Sequence, residues 1–211
     1  MKEKMKSALG SLKKAVLVTV VLLVVCGLLY PLALTGLSQL FFKDKANGSL
    51  IEVNGQVVGS TLVGQDFTAD WCMKCRPSNV NYNTYTEEQK ENGEYAGVGS
   101  GSANYAPSNP ALQERVEEDI TAFLEANPGV KKEDIPTDLI TASGSGLDPH
   151  ISPASAEVQI PALTKATGLT EDALREIVQK HTTGKFLGIF GEETVNVLQV
   201  NLDIAKAIGK I

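Results

Sequence analysis

The sequence predicts an α+β protein: one N-terminal transmembrane helix followed by a single mixed α/β extracytoplasmic domain. Three observations carry that expectation. Ala15 to Phe42 contains no charged residue, and as a helix it would be roughly 42 Å long, where a bilayer core needs about 20 apolar residues. Residues 43–211 then supply enough chain for one compact domain and rather little for two. Within them, hairpin and helix signals follow one another without regular βαβ repetition. The organisation expected is a cytoplasmic basic leader at 1–14, the span at 15–42, and an extracytoplasmic α+β domain at 43–211.

The leader sets the direction. Lys2, Lys4, Lys6, Lys13 and Lys14 stand against one acid, Glu3, in a chain whose formal net charge is −6. Lysines beside a short N-terminal segment favour the cytoplasmic side, which puts the acidic remainder outside a cell (inner or plasma) membrane. That acidity speaks against nucleic acid as a partner and against docking on anionic headgroups. A cleaved signal peptide would have a shorter apolar core and a small-residue exit. A lipidated Cys26 after Leu23-Val24-Val25 is the remaining alternative to a retained anchor. Inside the span, Tyr30 and Pro31 interrupt the helix, and Thr35 and Gly36 are poor lipid-facing residues. These four are candidate contacts for a neighbouring membrane helix.

The elements beyond the span follow from local signals. Asn54-Gly55 between residues 49–53 and 56–60 predicts a two-residue β-hairpin. Residues 79–110, dense in Asn, Gly, Ser and Tyr, predict a long surface loop with little regular structure. Asn109 and Pro110 then open a helix with an apolar stripe of Leu112, Val116, Ile120, Phe123 and Leu124. A strand is expected around 138–142. One helix follows from Ser152-Pro153 to about Thr167, bent at Pro161 and closed by Gly168. Thr170 caps another helix that runs to about His181. The end reads as a strand over 194–200 and a short helix from about Asn201.

Two clusters carry possible chemistry. Trp71-Cys72-Met73-Lys74-Cys75 resembles a thioredoxin-type site, but Arg76-Pro77-Ser78 follows where a long redox helix should begin. Outside the cell, Cys72 and Cys75 are also a possible disulfide. Zinc would require both cysteines with His150 and His181, which lack ligand spacing, so no metal is expected. The second cluster holds Ser143, Gly144, Ser145, Gly146, Asp148 and His150. A hydrolase would use a serine with His150 as base, yet neither serine sits in Gly-x-Ser-x-Gly. A tight turn with a capped helix entry explains the same residues, and the cluster doubles as a candidate partner-binding surface. A membrane-anchored extracellular thiol oxidoreductase or hydrolase is therefore the alternative function.

Taken together and in order, several segments resemble the C subunit of the Kdp-type potassium-transporting ATPase. They are Tyr30-Pro31, residues 46–50, residues 59–67, Arg76-Pro77-Ser78, residues 107–112, residues 138–153, Gln159-Ile160-Pro161, His181-Thr182 and residues 195–198. The resemblance covers nearly the whole chain. It implies a non-catalytic accessory subunit of a high-affinity potassium uptake pump. The implied partners are a channel-like subunit, a P-type ATP-hydrolysing subunit and a small membrane peptide, besides the lipid bilayer. It implies a catalytic chaperone that raises the ATP affinity of the hydrolysing subunit, with ATP shared rather than tightly bound. Gln159 matches a family glutamine suited to nucleotide contact. The lysine rule, however, puts Gln159 outside the cell and ATP inside. The sequence also departs from the family in Cys72-Met73-Lys74-Cys75, which replaces a commonly aromatic-rich, cysteine-free stretch, and in a longer loop over 80–97.

Overall fold

A computed structural model describes residues 2–94 and 97–211. Positions 1, 95 and 96, one in the leader and two in the loop expected at 79–110, lie outside the described residues. The chain divides into two compact units between Leu50 and Ile51. In the first, α1 (Lys2–Val24) passes through a π turn (Val25–Leu29) into α2 (Tyr30–Phe41). The stretch Leu9–Phe41 of this helix is long enough, and apolar enough beyond Lys14, to cross a membrane, and its side chains from Leu9 to Leu37 are exposed. That is the pattern of a helix whose solvent is lipid. Beyond it, α3 (Lys43–Ala46) ends at Asn47, whose amide pairs reciprocally with Gln39 at 3.1 and 3.3 Å.

The second unit contains the packed core. Strands β1 (Leu50–Val53) and β2 (Gln56–Ser60) pair around Asn54 and Gly55. Both turn residues have positive φ, as a primed two-residue turn demands. The loop that follows is not featureless. Thr86 and Gln89 form a capping box that starts α4 (Glu87–Glu91), and Thr86-x-x-Gln89 was the sequence signal for it. Helix α5 (Pro110–Ala126) begins as its residues dictate: Asn109 accepts from the Ala111 N–H at 3.0 Å and Pro110 occupies the first turn. Its buried edge, with Phe123, packs on Ile135 and Leu139.

The strand expected at 138–142 is absent. Residues Thr137–Leu139 form a 3₁₀ turn instead, with the Asp138 carboxylate engaged by Ser152, the cap of the next helix, and by Ser155. It accepts from the Ser152 N–H at 2.7 Å and the Ser155 hydroxyl at 2.5 Å. The strand lies further on, as β3 (His150–Ile151). The single helix expected over 152–167 is two, α6 (Pro153–Glu157) and α7 (Ile160–Thr167), because Pro161 suits a first turn and not an interior. Gly168, at φ +75°, closes α7 in the left-handed region. Helix α8 (Glu171–Lys180) is capped by Thr170. Strand β4 (Thr182–Thr183) was not legible, and the expected 194–200 strand stops early. Asn196 ends β5 (Thr194–Asn196) and caps α9 (Val197–Ala207) through the Gln199 N–H at 3.1 Å.

The three short strands form one antiparallel sheet in the order β3-β5-β4, with His150 opposite Asn196 and Thr182 opposite Val195. Ile151, Ile160, Leu163, Leu174, Val195, Val197, Val200 and Ile204 close over it with Met73 at the centre.

Candidate functional site

Several residues singled out from the sequence, Gln159, Gly146 and Asp148, meet one extended segment, Met73–Ser78, which is held from several sides. Asn201, on the inner face of α9 and 3% exposed, takes the Met73 N–H at 2.7 Å and donates to the Met73 carbonyl at 2.9 Å. Gln159 does the same one residue on. Its Oε1 accepts the Lys74 N–H at 2.8 Å, and its Nε2 donates to the Lys74 and Ser155 carbonyls at 3.3 and 2.9 Å. Each side-chain amide thus replaces a neighbouring strand and satisfies a main-chain donor and acceptor that would otherwise be buried unpaired. The Lys74 ammonium turns back onto the Phe67 and Ala69 carbonyls at 2.6 and 3.0 Å.

Next along the segment, Arg76 reaches the turn at 141–150. Its guanidinium donates to Asp148 Oδ2 at 3.0 Å, and Asp148 Oδ1 accepts the His150 N–H at 3.0 Å. Burial by itself pushes the Asp148 carboxyl up, but contacts from His150 and Arg76 outweigh it and hold the group below the ordinary carboxylate range. Ser78 donates to the Gly146 carbonyl at 2.6 Å, and Gly101 N–H to the Ser145 carbonyl at 2.7 Å. Glycine is required at 64, where a Cβ would meet the Asp148 carbonyl oxygen at 2.6 Å and the Tyr82 ring at 2.6 Å. At Gly146, φ is +68° and a Cβ would meet Val80 at 2.7 Å.

Of the cluster at 143–150, only part is exposed. Gly144 and Ser145 are exposed, but Ser143, Gly146 and Pro149 are buried, and Asp148 and His150 face inward onto Arg76 and Asn196. Nor does the turn assemble a hydrolase. Ser143 Oγ is buried without a hydrogen-bond partner, and Ser145 Oγ accepts from the Leu147 N–H at 3.1 Å. The His150 ring stands 3.6 Å from Asp148 and 3.5 Å from Asn196. A nucleophile needs its base within hydrogen-bond reach, and neither serine has one there.

Cys72 and Cys75 are free thiols. Burial raises the Cys72 thiol despite nearby Lys74 and Lys210, and burial pushes Cys75 up to about 12. Redox catalysis needs the opposite shift, toward thiolate near neutral pH. Among the described residues no group of three His, Cys, Asp or Glu side chains is placed to hold a metal ion. A cleft of about 630 Å³ lies beside the Lys74 clamp, lined in part by Asp70, Glu125, Asn127, Gln159 and Lys165. The Gln159 amide borders it while bonded inward at both ends. Tyr30, Pro31, Thr35 and Gly36 all lie exposed on the membrane-spanning helix.

Two features were missed from the sequence. Asn201 is one, and its signal was a polar residue inside the apolar stripe of Val197, Val200 and Ile204. The other is an exposed tip at 186–190. Phe186, Leu187, Ile189 and Phe190 are each between 62% and 76% exposed. The tip is closed by the reciprocal Phe186 and Phe190 backbone bonds at 2.8 and 2.9 Å, and a Lys185–Glu192 ion pair at 3.0 Å stands at its base.

Residues 12–206 match the family model described as K+-transporting ATPase, c chain. The Potassium-transporting ATPase KdpC subunit of Clostridium kluyveri is 66% identical over 97% of this chain and 98% of its own length. That of Clostridioides difficile is 60% identical over 95% and 99% of the two chains. At 44% identity, the subunit of the same name from Caldanaerobacter subterraneus subsp. tengcongensis aligns over 94% and 96%.

Proposed function

The chain belongs to the KdpC family, the c chains of K+-transporting ATPases, and on that premise we propose that its head works by docking onto membrane-embedded partner subunits, not by making or breaking bonds. The observation that carries this reading is the tip at 186–190. Four large apolar side chains held out on a hydrogen-bonded turn are the kind of exposed patch that marks an interaction surface. Net acidity favours a protein partner over an anionic lipid surface.

In this reading the lysine-rich leader is cytoplasmic and the head is extracytoplasmic, beside the potassium entry of a channel-like subunit. Any effect on the ATP affinity of a hydrolysing subunit then passes through the membrane helix or the neighbouring subunits. Gln159 takes part as a strut of the Met73–Lys74 segment, since both ends of its amide are already bonded.

The test is purification of the full chain from its native membrane in mild detergent. Wild type should retain large membrane proteins with potassium-stimulated ATPase activity, and Leu187→Ser with Ile189→Ser should strip them away. Substrate turnover by a chain that retains no partner would refute the reading. Orientation is tested with impermeant thiol reagents at an introduced Glu133→Cys, an exposed site better suited than buried Cys72. Labelling only after the cytosol is opened would refute an external head.

A further inference from the structure

The hydrogen-bond ladder of the membrane-spanning helix is broken at one place. Over Val25–Leu29 the chain makes a π turn, so the Tyr30 N–H donates to the Val25 carbonyl five residues back and not to that of Cys26. The next residue is Pro31, which has no N–H to offer the Gly27 carbonyl. Two successive carbonyls, those of Cys26 and Gly27, therefore lack the donors that an α-helix supplies. Gly27 also leaves the spot uncovered, since a Cβ there would meet nothing within 4 Å.

Depth makes this consequential. Cys26 and Gly27 lie near the middle of the uncharged run Ala15–Phe42, where no water is at hand to bond a bare carbonyl. An unpaired polar group in hydrocarbon is costly, and the bond that removes the cost must come from another membrane-embedded group. Acyl chains have no donor. A second, parallel copy of this helix presents aliphatic side chains and the weak thiol donor of Cys26 over residues 21–29, with the Tyr30 phenol one residue on. It is the rival occupant that the capture experiment separates from a partner's helix.

We propose, resting on the subunit reading above, that the Cys26 and Gly27 carbonyls are the acceptor half of an interhelical hydrogen bond. The occupant is a transmembrane helix of a partner subunit that presents a hydroxyl or amide side chain at mid-bilayer. The π turn and Pro31 act as one device: the first withholds a donor from Cys26, the second from Gly27, and together they turn a lipid-facing helix into a polar docking point. Small and polar groups are what such helix pairs use in place of the hydrophobic effect.

The experiment uses the full chain in its native membrane. Cys26→p-benzoylphenylalanine should photocapture a membrane helix that carries Ser, Thr, Asn, Gln or Tyr within one turn of the captured residue. Pro31→Ala returns a donor to the Gly27 carbonyl and favours the helix itself, so loss of partner cannot be laid to misfolding. It should lower the partner retained through a detergent wash by about three- to fifteenfold, the range of one interhelical bond in a membrane. Replacing the captured donor with an apolar isostere should cause a similar loss, and the two changes together no more than either alone. Unchanged retention with Pro31→Ala, capture of a segment without donors, or capture of a second copy of this chain overturns the inference while a co-purifying complex leaves the subunit reading standing. Absence of any complex overturns both.

Discussion

Asn201→Ala is the substitution that reports most directly on how the head is held together. The mutation removes an amide whose two bonds, at 2.7 and 2.9 Å, satisfy the N–H and carbonyl of Met73. Met73 is 0% exposed, so water cannot take over either bond. Each buried main-chain group left unpaired costs about 1–3 kcal/mol, which gives about 2–6 kcal/mol for the pair. Urea unfolding of the full chain in mild detergent is the assay, followed by the fluorescence of Trp71, the chain's one tryptophan, two residues from the clamp. With a slope of about 1–3 kcal/mol per molar urea, the midpoint should fall by about 0.7 M or more. Ser143→Ala is the matched control, because its hydroxyl is buried without a partner and its loss should be within about 0.5 kcal/mol of neutral. If the two variants unfolded at the same urea concentration, the argument that side-chain amides substitute for a strand at Met73 would be wrong.

Further outcomes follow from the same region. Gly64→Ala should destabilise by at least about 1–3 kcal/mol in the same assay, because its Cβ has no place between the Asp148 carbonyl and the Tyr82 ring. The Asp148 carboxyl, held below its ordinary range, contributes stability above an unfolded-state value of about 3.9 and loses it as pH falls through the lower folded value. Arg76→Met removes one of the groups that hold it down, so acid unfolding followed by Trp71 should begin at a higher pH than in wild type. Cys75, raised to about 12 by burial, should resist alkylation at pH 8 in the folded chain and react once denatured; fast labelling of the native protein would contradict its placement.

The parts of the fold that were legible are those written locally. Asn54-Gly55 specifies its turn by conformation alone, and Asn109-Pro110 and Thr170 name their helices through caps a few residues away. The strands β3 and β4, and the early end of β5, were illegible for the opposite reason. Each strand is only two or three residues long and exists because Val195 finds Ile151 on one side and Thr182 on the other. Leu139-Ile140-Thr141 has strand composition, yet Asp138 is engaged by Ser152 and Ser155, which fixes the backbone as a turn. The site was half visible. Arg76, Asp148 and His150 stood out as types, but nothing in a linear reading says that Met73 meets a residue 128 positions later.

Asn201 and Gln159 grip peptide groups, and a peptide group is the same whatever side chain it carries. The ribbon they hold is therefore fixed in path but free in lettering wherever a side chain does not enter the core. The Arg76–Asp148 junction just downstream is held through its side chains instead, at 3.0 Å, and has no such freedom. For anyone redesigning the head, the letters that cannot be changed are the two amides that never appear in the ribbon itself.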